Sequence, residues 1–218
     1  MAPKGKWAAG ITPRNFCWVI KDRLAVCERP GGYGTNHRRV RRQEEIIWLR
    51  EQGFTCVVSL LQSPHNLHNY DELGVQWLHR PFNPADGARE SLQLFYPELR
   101  DMLAGGGKVV LHRNELGDGV TGLVAGYLAW VGLVPDGPRA ISIVEQITHR
   151  QLGPVARELV RLGLEMTGRD LTGALLDPAR VVAEAPPASL HPTAPPESPP
   201  GASPSSGSAA GVVGSASS

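Results

Sequence analysis

The stretch KVVLHRNELGDGVTGLVAGYLAW, residues 108–130, decides how the rest of the chain is read. Val109, Val110 and Leu111 form a short uninterrupted apolar run, the pattern of a strand buried on both faces. Gly117 and Gly119 supply the backbone freedom a tight loop needs, and Thr121 and Gly122 open an apolar helical run that ends near Val131. A helix that starts directly behind such a loop leaves its first N–H groups without internal acceptors, facing the loop. The segment therefore predicts a strand, an anion cradle over residues 112–122, and a helix.

Outward from this segment, strands alternate with helices. A strand pair is expected at 17–27, a glycine-rich loop at 31–34, a helix at 38–52, and strands at 54–61, 75–79 and 108–111. Further helices are expected at 90–104, 121–131, 138–149 and 154–167. Pro138 and Pro154 sit where a helix start tolerates a missing N–H. This order indicates an α/β domain with a central sheet and helices on both faces. Trp18, Trp48, Trp77 and Trp130 fall on these elements and are expected in the core. The run HRRVRR at 37–42 reads as the solvated first turn and exposed face of a helix with Glu/Arg pairs along it, with a localisation or anion-binding patch as the alternative.

A chain of 218 residues holds one domain or at most two, and its first two-thirds can bury a single sizeable core. From about Ala183 the composition turns to Pro, Ala, Ser and Gly, which cannot bury enough surface to offset ordering entropy, so residues 183–218 are expected to be disordered. Ser-Pro pairs at 198–199 and 203–204 leave a regulatory role for that tail open. With 22 Lys+Arg against 21 Asp+Glu, a general nucleic-acid binder is not expected. Three cysteines, Cys17, Cys27 and Cys56, are too few for a disulfide framework, and no signal-peptide or membrane-spanning run is visible, so a cytoplasmic protein is expected. His65 and His68 lie in a polar loop without a nearby cysteine or paired acid, and neither a metal nor a cofactor is called for.

Residues 112–122 resemble the signature loop of the cysteine-based protein phosphatases, H-C-x-x-G-x-x-R-(S/T)-G. Anchored on the helix, Gly117, Thr121 and Gly122 match, which puts Asn114 at the nucleophile and Val120 at the arginine. Anchored on the strand, His112 matches the family histidine and Arg113 takes the cysteine's place, with one extra loop residue. The resemblance extends outward. PRNFCWVI at 13–20 is similar to the opening of the small atypical dual-specificity phosphatases, FTCVVSLL at 54–61 to a later strand, and GVQWLHRPF at 74–82 to the strand before their general-acid loop. It implies a three-layer phosphatase-like domain with a central mixed sheet at 11–168, after an N-terminal extension at 1–10 and before a linker at 169–182.

The family's reaction needs a thiolate to attack phosphorus, an arginine fork to hold the phosphate oxygens, and an aspartate to protonate the leaving oxygen. Asn114 and Arg113 cannot supply the thiolate, and Val120 cannot supply the arginine fork. Asn83 falls near the acid position and an amide cannot donate that proton; Asp86 either serves by a different loop path or is a turn residue before Gly87. Glu115 and Asp118 place carboxylates in the loop, opposing an anion, with Leu116 and Gly119 completing it. Arg113 either returns positive charge to the cradle, or points away or pairs with Glu115 or Asp118. The resemblance implies a pseudophosphatase that binds a partner, a phosphorylated protein for instance. A divergent phosphoester hydrolase and a scaffold with a closed pocket are the alternatives, and the oligomeric state is left open.

Overall fold

A computed structural model describes residues 9–33, 38–64 and 66–176 of the protein. Its sheet has five strands: β1 (Cys17–Ile20), β2 (Leu24–Glu28), β3 (Cys56–Ser59), β4 (Trp77–His79) and β5 (Val109–Arg113), in the order β1-β2-β5-β3-β4. β1 pairs antiparallel with β2, and every other pairing is parallel, so the sheet is mixed. β5 is central. Its partners run Leu24↔Val109 to Glu28↔Arg113 on one side and Cys56↔Val109 to Ser59↔His112 on the other. The parallel strands therefore end together along one edge, where open α/β sheets place their ligands.

Side chains alternate across this sheet and divide the core in two. Leu24, Val26, Val58, Val109 and Leu111 face α3 (Ala88–Ala104), α4 (Asp118–Trp130), α5 (Gly137–Thr148) and α6 (Pro154–Glu165). Ala25, Cys27, Val57 and Val110 face the opposite layer, with α1 (Arg39–Glu51) and the short α2 (His68–Glu72). Helices thus cover both faces, as expected. α2 falls in a stretch read as loop, because five residues are too few to show a helical period.

α4 is buried from Gly119 to Ala129, the state of a helix that is apolar all round. Full burial of Val120, Leu123, Val124 and Leu128 stabilises the domain by about 1.5–3 kcal/mol each. Gly126 lets α6 approach: a methyl built there would lie 2.7 Å from the Leu159 carbonyl oxygen and 2.5 Å from Tyr96 Oη.

Two expectations need correction. The basic run is not wholly solvated, since Arg42 and Glu45 are buried on the same α1 face as Ile46 and Leu49; Glu45 accepts from the Gly31 N–H at 2.7 Å and from Arg41 Nε at 2.7 Å. His37 lies outside the described residues. The four tryptophans are half-buried rather than internal, packed on the margins of the two clusters. Trp18 stacks on Phe54 with centroids 5.4 Å apart, and Trp77 Nε1 donates to Asp71 Oδ1 at 2.8 Å, so their polar edges stay near solvent.

Beyond α6 the chain turns back on the domain. Arg169 Nη2 donates to the Ala129 carbonyl at 2.5 Å, the Gly137 N–H to the Leu171 carbonyl at 2.9 Å, and Arg169 bridges Leu175. The disordered-tail expectation, the N-terminal residues 1–8 and the stretch from 177 onward lie outside the described residues. Among the described residues no helix is long and apolar enough to cross a membrane.

Candidate functional site

The cradle segment has the expected order, with shifted boundaries. β5 runs through His112 and Arg113, the loop is confined to residues 114–117, and α4 starts at Asp118, three residues earlier than its apolar run suggested. Gly117 is the N-cap in extended conformation; its carbonyl accepts from the Val120 N–H at 3.0 Å and the Thr121 N–H at 3.1 Å, and Thr121 Oγ1 donates to it at 3.2 Å. That hydroxyl bond fixes the first turn from within. Among the described residues, no protein acceptor takes the N–H groups of Asn114 through Gly119. Six consecutive donors thus stand at the start of a helix, where its dipole favours an anion.

The loop side chains point in different directions. Arg113 is half-buried at the end of β5, and its carbonyl accepts from the Arg29 N–H at 2.7 Å. Its guanidinium folds over the start of α4: a methyl built on Gly119 would meet Arg113 Nη1 at 2.6 Å and the Pro84 ring at 3.3 Å. Glycine at 119 is what leaves room for it. Glu115 turns the other way, accepting from the exposed Tyr33 hydroxyl. Asp118 Oδ1 accepts from the Gly153 N–H at 3.1 Å, tying the loop to the α5–α6 connection. Arg113 pairs with neither acid, and among the described residues its guanidinium has no hydrogen bond or ion pair.

Asn114 is exposed, while Leu116 and Val120 are 1% and 0% exposed in the apolar core. Arg150 Nη1 donates to the Leu116 carbonyl at 3.2 Å and braces the loop from outside. Gly122 is buried against Ala156 of α6. Asn83 and Asp86 form a turn: Asn83 Nδ2 donates to Asp86 Oδ2 at 2.6 Å, and the Asp86 N–H to the Asn83 carbonyl at 3.0 Å. The Asp86 carboxylate is therefore engaged locally, within the turn.

His112 points to the α1/α2 side of the sheet, where its Nε2 lies 3.2 Å from Tyr70 Oη. Burial, with Arg29 and His79 nearby, lowers its pKa to about 3, so the ring is neutral at physiological pH. Its Nδ1 and the neighbouring Ser59 Oγ are buried without partners among the described residues. Each thiol lies on a strand, and burial raises each above its ordinary value: Cys17, Cys56 to about 11, and Cys27 most strongly, with Glu45 and Glu28 adding to the effect. None is an activated thiolate. His68 begins α2, and His65 lies outside the described residues.

Tyr33, Tyr70, Arg150 and Gly153 were not singled out from sequence. The only local signal was the aromatic in GGYG at 31–34; the other three join the site through long-range contacts that carry no motif.

No protein-family model matches the sequence, and no curated protein matches it. Solved structures do. Kinase associated phosphatase, with its catalytic-site cysteine substituted by serine, is similar at 20% identity and a TM-score of 0.56, over 69% of this chain and 93% of that one. Tk-PTP in its active form is similar at 18% identity and a TM-score of 0.52, over 67% and 92%. A tyrosine-to-histidine variant of human DUSP28 gives 17% identity and a TM-score of 0.51, over 72% and 97%. The five-stranded mixed sheet with six helices, matched along nearly the whole of those chains, is the fold of the dual-specificity and tyrosine phosphatases.

Proposed function

We propose that this phosphatase-like domain is a pseudophosphatase of the dual-specificity type, which holds the phosphate of a phosphorylated protein and does not hydrolyse it. The observation that carries the reading is the Arg113 guanidinium, laid over the start of α4 beside the unaccepted N–H groups of residues 114–119, with no protein partner among the described residues. A planar fork beside a row of N–H donors suits a phosphate dianion. Arg113 takes the role that Val120, packed into the core, cannot.

The reaction lacks its parts. No cysteine follows Cys56, so residues 112–122 offer no thiol. Asn114 has no nucleophilic thiolate to offer, and neutral His112 faces the other side of the sheet. Asn83 cannot protonate a leaving oxygen, and Asp86 is held in its own turn. The two loop acids are directed to Tyr33 and Gly153, so neither occupies the Arg113 guanidinium.

Calorimetric titration of the full chain with a phosphopeptide and its unphosphorylated form tests the reading, alongside an aryl-phosphate turnover assay. Phosphate-dependent binding and no turnover are expected, and Arg113→Ala should weaken binding about 10- to 100-fold, the worth of a charge-assisted bidentate contact. Vanadate-sensitive turnover would establish a divergent hydrolase instead, and affinity indifferent to phosphate or to Arg113 would leave a scaffold.

A further inference from the structure

We infer that the ligand is a phosphorylated residue flanked by a lysine or arginine, with the phosphate on Arg113 and the flanking cation on Glu115. The inference rests on the proposed phosphate-binding reading and names the ligand class for that site.

Arg113 and Glu115 stand two residues apart at the mouth of the cradle with opposite charges, yet they do not neutralise each other. Arg113 is turned to Gly119 and Pro84, and Glu115 to the Tyr33 hydroxyl. The other acids nearby have partners of their own, Asp118 the Gly153 N–H, Asp86 the Asn83 amide and Glu28, beside Arg113 in the sheet, the Asn15 amide. Arg150 gives one guanidinium N–H to the Leu116 carbonyl. What remains is an exposed carboxylate whose partner is a neutral phenol, with no cation paired to it among the described residues.

A carboxylate placed so close to an anion cradle weakens any ligand that brings only negative charge. It strengthens one whose phosphate is followed or preceded by a cation, because each charge then meets its opposite across the loop. The Tyr33 ring, 41% exposed, adds an aromatic face beside Glu115 for a guanidinium or ammonium. Glu115 thus acts as a specificity residue: it rejects acidic flanks as well as favouring basic ones.

The test uses the full chain and fluorescently labelled phosphopeptides of one sequence, with arginine, alanine or glutamate placed within three residues on either side of the phosphoresidue. Anisotropy titrations should rank arginine above alanine above glutamate, with arginine about fivefold tighter than alanine, as for an exposed ion pair. The ranking should shrink as salt is raised. Glu115→Gln should bind all three alike and still require phosphate, and Glu115→Lys should reverse the order; circular dichroism checks that both variants fold. A wild-type protein that binds phosphopeptides without flank preference, or a preference that survives in Glu115→Gln, overturns the inference and leaves phosphate binding intact. Failure to bind any phosphopeptide overturns the phosphate-binding reading itself. Phosphatidylcholine vesicles present a phosphate and a cation in one headgroup, and binding to them in preference to every peptide overturns the assignment to a peptide.

Discussion

Val120→Arg separates the two ways of placing the phosphatase signature on this loop. In the helix-anchored alignment position 120 is the arginine's, and a guanidinium there should reach the phosphate. In the structure Val120 is 0% exposed, packed with the core that includes Leu116, Leu123 and Val124. Removing the valine forfeits about 1.5–3 kcal/mol of burial. Forcing an unpaired guanidinium into the same apolar site adds a desolvation penalty of a few kcal/mol. Together the loss is about 4 kcal/mol or more, a large part of the roughly 5–15 kcal/mol that holds such a domain together. With a urea m-value near 2 kcal/mol/M, the unfolding midpoint should fall by about 2 M at unchanged m. Val120→Ala, which removes volume without introducing charge, should fall by about 1 M or less. If the arginine variant unfolds within about 0.3 M of wild type, its side chain has reached solvent or the cradle and the argument from burial fails. Hydrolysis gained by Asn114→Cys with Val120→Arg, and not by Arg113→Cys, would then point to the same register.

His112 makes stability depend on pH. Its folded pKa, about 3, lies below its ordinary 6.5, so between these values the unfolded chain binds the extra proton and stability is lost as pH falls through the window. Between pH 7 and pH 5 the loss should be about 2 kcal/mol, measured by urea unfolding. His112→Gln should flatten that part of the profile, and a wild-type curve flat from pH 7 to 5 would contradict the neutral buried ring. The cysteines give a third check. With every thiol raised by burial, iodoacetamide at pH 7 should label Cys27 only as the protein unfolds and should leave phosphopeptide affinity unchanged. A fast-labelling thiol whose alkylation abolishes binding would reinstate a cysteine at the site.

The fold was legible because its signals are local and periodic. The apolar run at 109–111 gave the central strand, and Pro138 and Pro154 gave two helix starts within a residue. Errors arose where an element is too short for a period, where a cap moves a boundary, or where a tertiary contact overrides local pattern. α2 spans five residues, Arg42 and Glu45 look solvated until Gly31 and the opposite layer are brought against them, and α4 extends back to Asp118 because Gly117 caps it. The Glu45 contact joins residues 14 apart, the cap is a backbone conformation and α2 is under two turns, and periodicity registers none of these.

The site was legible in position and not in sense. Sequence placed a basic and two acidic residues within six positions and left both outcomes open, a restored cradle or a self-neutralised one. Two contacts turn the acids from Arg113, Glu115 with Tyr33 across 82 residues and Asp118 with Gly153 across 35. Each removes a carboxylate from competition for Arg113, and neither tyrosine nor glycine belongs to the signature. Gly119 completes the arrangement for a reason the signature also omits: a methyl there would meet the guanidinium at 2.6 Å. The proposed loss of the reaction is thus read from which residues occupy positions 112–122, and the proposed hold on an anion from which way three of their side chains turn.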